Sequence, residues 1–92
     1  MIFKHLDYIP VLVEEGSFTK AAAKLGISQS TLSKYVQRLE TELDAKLFVR
    51  RKGRLLLTPQ GRIYVDAAQK AVTAYKDALK NIRIVSKDQL SS

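Results

Sequence analysis

A mainly α-helical fold with one two-stranded β-hairpin is what this 92-residue sequence predicts. Three observations point there. Apolar residues recur at helical spacing through residues 2–15, 18–25 and 28–43. Two short aliphatic runs, Leu47-Phe48-Val49 and Leu55-Leu56-Leu57, flank a basic stretch that contains a glycine. From Thr58 to about Val85 nothing interrupts a helical pattern.

In the first helix, Ile2, Leu6, Ile9 and Val13 step by four, three and four, aligning one apolar stripe. Gly16 suits the left-handed residue that ends a helix. Pro10 lies inside this span and would cost about 3 kcal/mol in a straight helix. A kink is therefore expected near residues 6–10. Ser17 is placed to cap the second helix, in which Phe18, Ala21, Ala22 and Leu25 form the inner face. Gly26 ends that helix, Ile27 plugs the turn, and Ser28 caps the third helix with Thr31 three residues on. There Leu32, Val36, Leu39 and Leu43 share one face at about 100° per residue. The opposite face carries Ser30, Lys34, Gln37 and Thr41, with Ser33 and Arg38 on its flanks and Gln29 in the first turn.

The hairpin would place Arg50-Arg51-Lys52-Gly53-Arg54 at its tip. Thr58-Pro59 is a strong helix start, with Thr as N-cap and Pro at the first helical position. Gly61 falls in the first turn, where its entropic cost is small. Beyond it Tyr64, Ala68, Ala71, Tyr75, Ala78, Ile82 and Val85 step by four and three, a sustained heptad seam broadened by Val65, Val72 and Leu79. The polar tail after Val85 is expected to fray. Three helices, a hairpin and a long helix make a winged helix-turn-helix over residues 1–58, a linker and dimerisation helix over 59–86, and a polar tail over 87–92.

Charge narrows the function. Net charge is +7, and its distribution is uneven. Residues 1–16 are net −2, residues 17–62 hold ten bases against three acids, and residues 63–92 are net +2. A positive middle third suits a polyanion. With no cysteine there is no disulfide, thiolate nucleophile or Cys-ligated zinc, and one histidine, His5, is an ordinary packed side chain rather than a ligand. No phosphate loop, useful carboxylate pair or Ser-His arrangement is present, which argues against an enzyme and against a cofactor. Glu14, Glu15, Glu40 and Glu42 read as helix-surface charge. No signal peptide or membrane span is evident, which points to a reducing cytoplasm.

Ala21, Ala22, Gly26, Ile27, Ser28 and Leu32 supply the small crossing residues, glycine turn, cap and inner face that a helix-turn-helix needs. The basic hairpin beside it reads as a wing. The outer seam residues Ala71, Tyr75, Ala78, Ile82 and Val85 are too far along the helix to fold back on so short a chain, and so call for a second copy. A rival of another class is a winged helix whose basic face docks an acidic protein while the long helix scaffolds an assembly.

The run Glu14-Glu15-Gly16-Ser17-Phe18-Thr19-Lys20-Ala21-Ala22, then Leu25, Ser28-Gln29-Ser30-Thr31-Leu32-Ser33, Leu39-Glu40, Leu43, Leu47-Phe48, Arg50, Leu57-Thr58 and Gly61, resembles the N-terminal region of LysR-type transcriptional regulators. The likeness spans about residues 2–85. It implies a bacterial, cytoplasmic protein, nucleoid-associated when bound, that reads double-stranded DNA as a homodimer on an interrupted palindrome, with tetramers open to the full-length form. The recognition helix, residues 28–43, would enter the major groove and the wing, residues 47–57, would lie at the minor groove. The resemblance places Gln29, Ser30, Ser33 and Lys34 at positions that face bases or nearby phosphates, with base contact expected here, and Thr31 at a phosphate. The wing residues are Arg50, Arg51, Lys52 and Arg54. Ser17, Thr19 and Arg38 are expected to join Thr31 on phosphates. Three positions depart from the pattern. Pro10 replaces an aliphatic residue, Ser30 stands where proline is common, and Gly53-Arg54 inverts the frequent Arg-Gly order at the wing tip. A full regulator also carries an effector-binding domain of roughly twice this length, which would hold any small-molecule ligand. An excised DNA-binding region is therefore expected.

Overall fold

A computed structural model describes the backbone of residues 5–91 and side chains as far as residue 88. The order is α1 (Tyr8–Glu15), α2 (Phe18–Leu25), α3 (Gln29–Leu43), β1 (Phe48–Arg51), β2 (Arg54–Leu57) and α4 (Pro59–Ser91). The first three helices pack into a compact body, the hairpin closes its side, and α4 starts on that body and runs out of it. The molecule measures 60 × 25 × 21 Å as a result.

The first helix is shorter than its apolar stripe. Residues 5–7 form a turn and the helix begins at Tyr8, so Pro10 is its third residue. A first-turn N–H has no acceptor within the helix, so the missing donor costs nothing there. The expected kink is replaced by a late start, and Ile2 lies outside the described residues. Gly16 and Gly26 end α1 and α2 in left-handed geometry, with φ of 68° and 72°. Ser17 accepts from the Lys20 N–H at 3.3 Å, and Ser28 accepts from the Thr31 N–H at 3.0 Å. Each cap satisfies a donor that the helix leaves open.

Ile9, Leu12, Leu32, Leu47 and Val65 are fully buried and come from α1, α3, the approach to β1 and α4. Each contributes about 1.5–3 kcal/mol. Ala21 and Ala22 are buried where α2 meets its neighbours. The inner stripe of α3 is shorter than its periodicity: Leu32 and Val36 are buried, Leu39 is half-buried, and Leu43 is 45% exposed because the helix has outrun the body.

Two further expectations change. Glu40 is not surface charge. Its side chain is 11% exposed, and its Oε2 accepts from the backbone N–H of Leu47 at 2.6 Å and of Phe48 at 3.4 Å. It fastens the start of the hairpin to α3. Nor does the last helix stop near residue 86. It runs to Ser91, because Ser86, Lys87 and Asp88 include no helix breaker, and Ser92 lies outside the described residues.

Near the start of the chain Tyr35 donates to the carbonyl of His5 at 3.2 Å and packs edge-on against Tyr8, ring centroids 4.9 Å apart. Burial, and then the neighbouring Tyr64, push the Tyr35 phenol above its ordinary range. Unfolded tyrosine ionises near about pH 10. The folded state therefore holds its proton longer, and stability falls as pH rises above about 10. Tyr35→Phe should flatten this alkaline limb in urea titrations, while losing about 1 kcal/mol at neutral pH with the His5 bond. An unchanged alkaline slope would assign the titration to another group.

Candidate nucleic-acid interface

The N-terminal turns of α2 and α3 meet on one exposed face. Thr19, the second residue of α2, donates its hydroxyl to Oε1 of Gln29, the first residue of α3, at 3.1 Å. The turn through Gly26 and Ile27 folds the helices so that residues ten apart touch. At the same end Ser28 Oγ donates to Thr31 Oγ1 at 2.8 Å. Thr31 thus accepts, and its own hydroxyl proton remains available. Ser17 accepts from Lys20 and likewise retains its proton. Gln29, Ser30 and Lys34 are exposed, Ser33 is half-exposed, and Arg38 is exposed a turn beyond Lys34. Ser30 and Lys34 lie on the α3 face opposite Leu32 and Val36, Ser33 and Arg38 flank that face, and Gln29 stands in the first turn.

The hairpin is tighter than its basic run implied. Only Lys52 and Gly53 form the turn, both at positive φ (52° and 73°), which is the type I′ geometry that follows strand twist. Arg50, Arg51 and Arg54 belong to the strands, not to a loop. Pairing is antiparallel with Phe48 opposite Leu57, Val49 opposite Leu56, Arg50 opposite Leu55 and Arg51 opposite Arg54. Alternation then divides the cations. Arg50 shares its face with Phe48, Leu55 and Leu57, which pack on the core, and its guanidinium sits 5.6 Å from the centre of the Phe18 ring. It joins the hairpin to the start of α2. Arg51 and Arg54 share the outer face with Val49 and Leu56, all exposed. Two arginines directly opposite destabilise a strand pair.

Ion pairing sorts the remaining charge. Lys24 bonds Glu14 at 2.7 Å and lies 3.5 Å from Glu15, tying α2 to the end of α1. The Glu14 hydrogen bond and charge hold its ammonium above the usual lysine range. Lys46 is 3.9 Å from Glu40 and Arg62 is 3.9 Å from Asp66. Among the described residues, the other bases of the middle segment, Lys20, Lys34, Arg38, Arg50, Arg51, Lys52 and Arg54, have no acidic group within 4 Å. No group of three or more His, Cys, Asp or Glu that could hold a metal is found among those residues.

On α4, Val65 and Ala68 are buried against the body and Tyr64 packs on it. Ala71 and Val72 are half-exposed. Beyond them Tyr75, Ala78, Leu79, Ile82 and Val85 are exposed, with Ile82 at 60%. No described helix is long and apolar enough to cross a membrane.

Sequence reasoning named three residues here without seeing the contacts they make. Glu40 anchors the hairpin, and Thr19 engages Gln29 rather than standing free. Gly61 is buried, and a Cβ there would overlap the Leu47 carbonyl oxygen and come within 2.8 Å of Leu57 Cδ2. A glycine in the first turn of a helix that directly follows a hairpin was the available signal for the last of these.

Three helices, a two-stranded wing and an unneutralised cationic face define a winged helix-turn-helix protein. The chain belongs to the lysR family of bacterial regulatory helix-turn-helix proteins, whose family model matches residues 3–62. The HTH-type transcriptional regulator BenM of Acinetobacter baylyi is 42% identical over 73 residues, which are 79% of this chain and 24% of BenM. The uncharacterized HTH-type transcriptional regulator YcgK of Bacillus subtilis is 36% identical over 83 residues, 90% of this chain and 26% of YcgK. The chain thus spans about a quarter of the length of these curated relatives. Among solved structures, the BenM DBD in complex with catB site 1 DNA superposes with a TM-score of 0.86 at 36% identity, covering 94% of this chain and 96% of that one. Full-length OxyR from Pseudomonas aeruginosa gives 0.81 at 36% identity, covering 91% of this chain and 28% of its own.

Proposed function

We propose that this chain binds double-stranded DNA sequence-specifically, as the DNA-reading part of a bacterial transcriptional regulator acting at the nucleoid in the cytoplasm. The observation that supports this most is the set of seven bases without acidic partners on α2, α3 and the hairpin. Clustered positive charge of this kind attracts a polyanion and raises its local concentration at the surface. The likeness to a DNA-bound BenM DBD supports the same reading.

In this reading α3 enters the major groove. Gln29 can bond adenine through both ends of its amide, and Ser30, Ser33 and Lys34 reach nearby base edges. Thr31 and Ser17 donate their free hydroxyl protons to phosphates, and Arg38 pairs with a phosphate further along. Arg51, Lys52 and Arg54 lie at the adjoining minor groove or its phosphates, with Arg50 behind them against α2. Two chains pair through the exposed seam of α4, from Ala71 through Tyr75, Ala78 and Ile82 to Val85. That pairing sets the distance between the two copies of α3 and matches an interrupted palindrome. The region takes no cofactor of its own. Small-molecule effectors belong to the remaining three quarters of a regulator of the relatives' length.

The test is a titration of the chain against an interrupted-palindrome duplex at several salt concentrations. Affinity should fall steeply with salt, because the protein displaces condensed counterions. A flat response, or equal binding to scrambled DNA, would sink the reading. Gln29→Ala should lose about 1–3 kcal/mol of discrimination at one base pair. Equal weakening on every sequence would make Gln29 a positioning contact instead.

A further inference from the structure

The geometry points to Thr19 as the positioning residue for Gln29, a role that rests on α3 reading the major groove. Three facts lead there. The Thr19 hydroxyl donates to Gln29 Oε1 at 3.1 Å. Both residues are exposed, so the bond is not part of the core. Gln29 opens α3 and Thr19 lies in the first turn of α2, so the bond spans the two helix starts that share the candidate interface.

Hydrogen-bond polarity separates Thr19 from its neighbours. An ionised phosphate only accepts. Thr31 and Ser17 accept within the protein and keep a proton to give. Thr19 has one hydroxyl proton, and it is committed to Gln29. In this arrangement Thr19 has nothing to donate to a phosphate, and the phosphate role expected from sequence passes to Thr31 and Ser17.

What the bond supplies is order. A free, exposed glutamine samples many rotamers, and fixing one on binding costs affinity. With Oε1 held by α2, the Gln29 amide is already fixed before DNA arrives. Both amide hydrogens remain free to donate, and Oε1 retains a second lone pair. The pattern needed for adenine, a donor to N7 and an acceptor for the N6 amino group, is left intact. Thr19 thus sharpens a base contact without touching a base.

The experiment uses the 92-residue chain and duplexes enriched by the wild type from randomised interrupted palindromes. Thr19→Val keeps the shape and removes the hydroxyl, and Thr19→Ser keeps the hydroxyl. We expect Thr19→Val to lower discrimination about three- to tenfold at the base pair that Gln29→Ala also flattens. Binding to scrambled duplex should stay unchanged, and Thr19→Ser should retain wild-type discrimination. In a Gln29→Ala background Thr19→Val should add nothing. In the free protein the Gln29 side-chain carbonyl 13C resonance should shift in Thr19→Val and not in Thr19→Ser. Equal loss on all duplexes, additivity with Gln29→Ala, or an unmoved carbonyl resonance would each overturn the role while leaving sequence-specific binding by the wild type intact. A wild type that enriches no sequence would overturn both this role and the DNA reading beneath it.

Discussion

Gly61→Ala is expected to melt about 10 °C or more below the wild type, a loss of about 2–3 kcal/mol. The sign is what makes the result informative. Alanine in place of an ordinary helical glycine gains about 0.8–1 kcal/mol. Here the added methyl meets the Leu47 carbonyl, which already accepts the Thr58 N–H at 3.0 Å, and the Leu57 side chain. Neither can retreat easily. Thr58 is also the cap of α4, and its Oγ1 accepts from the Gly61 N–H at 2.9 Å while donating to the Lys46 carbonyl. The methyl would therefore push apart the hairpin, the cap and the helix base together. Thermal melts and urea titrations of the variant check this. A stabilised Gly61→Ala would show that the helix does not approach the strand so closely.

Removing both outer wing arginines, as Arg51→Gln with Arg54→Gln, should change two quantities in opposite directions. DNA affinity should fall by about 1.5–3 kcal/mol for each lost charge-assisted contact. If each guanidinium sits on a phosphate, the slope of log affinity against log salt should become shallower by about 1.8. The free protein should become more stable by up to about 1 kcal/mol, because the facing arginines of the hairpin repel one another. Fluorescence anisotropy at several salt concentrations, paired with urea unfolding without DNA, measures both. Unchanged affinity with lower stability would assign these arginines to the fold and remove the wing from the interface.

Much of this was legible in the chain. Ser17, Ser28 and Thr58 each precede a helix and each caps it. Gly16 and Gly26 take left-handed geometry where periodicity stops, and the aliphatic runs at Phe48 and Leu57 do pair. These features are local, and local chemistry is written in adjacent letters. The misses are of another kind. Glu40 reads as surface charge because its partners, the peptides of Leu47 and Phe48, are brought to it only by the turn after α3. Leu43 continues a perfect stripe, yet the body it would pack against has ended. The late start of α1 follows from Pro10, whose cost disappears once the helix begins at Tyr8. Within the candidate interface the exposed face of α3 was readable, whereas the Thr19–Gln29 bond needed the crossing of two helices. The division of Arg50 from Arg51 and Arg54 needed the strand register.

The long helix α4 is also a lever. Its base is clamped at Gly61 between strand and cap, and about 45 Å of continuous helix lies beyond, at about 1.5 Å per residue. A tilt of about 5° at that clamp would carry the Ser91 end through about 4 Å, roughly three-quarters of the rise of one helical turn. A methyl-sized error at the base is thus magnified at the tip, and a displacement imposed at the tip arrives at the wing as a small rotation. The absence of one side chain at residue 61 therefore sets the angle from which everything beyond the body is aimed.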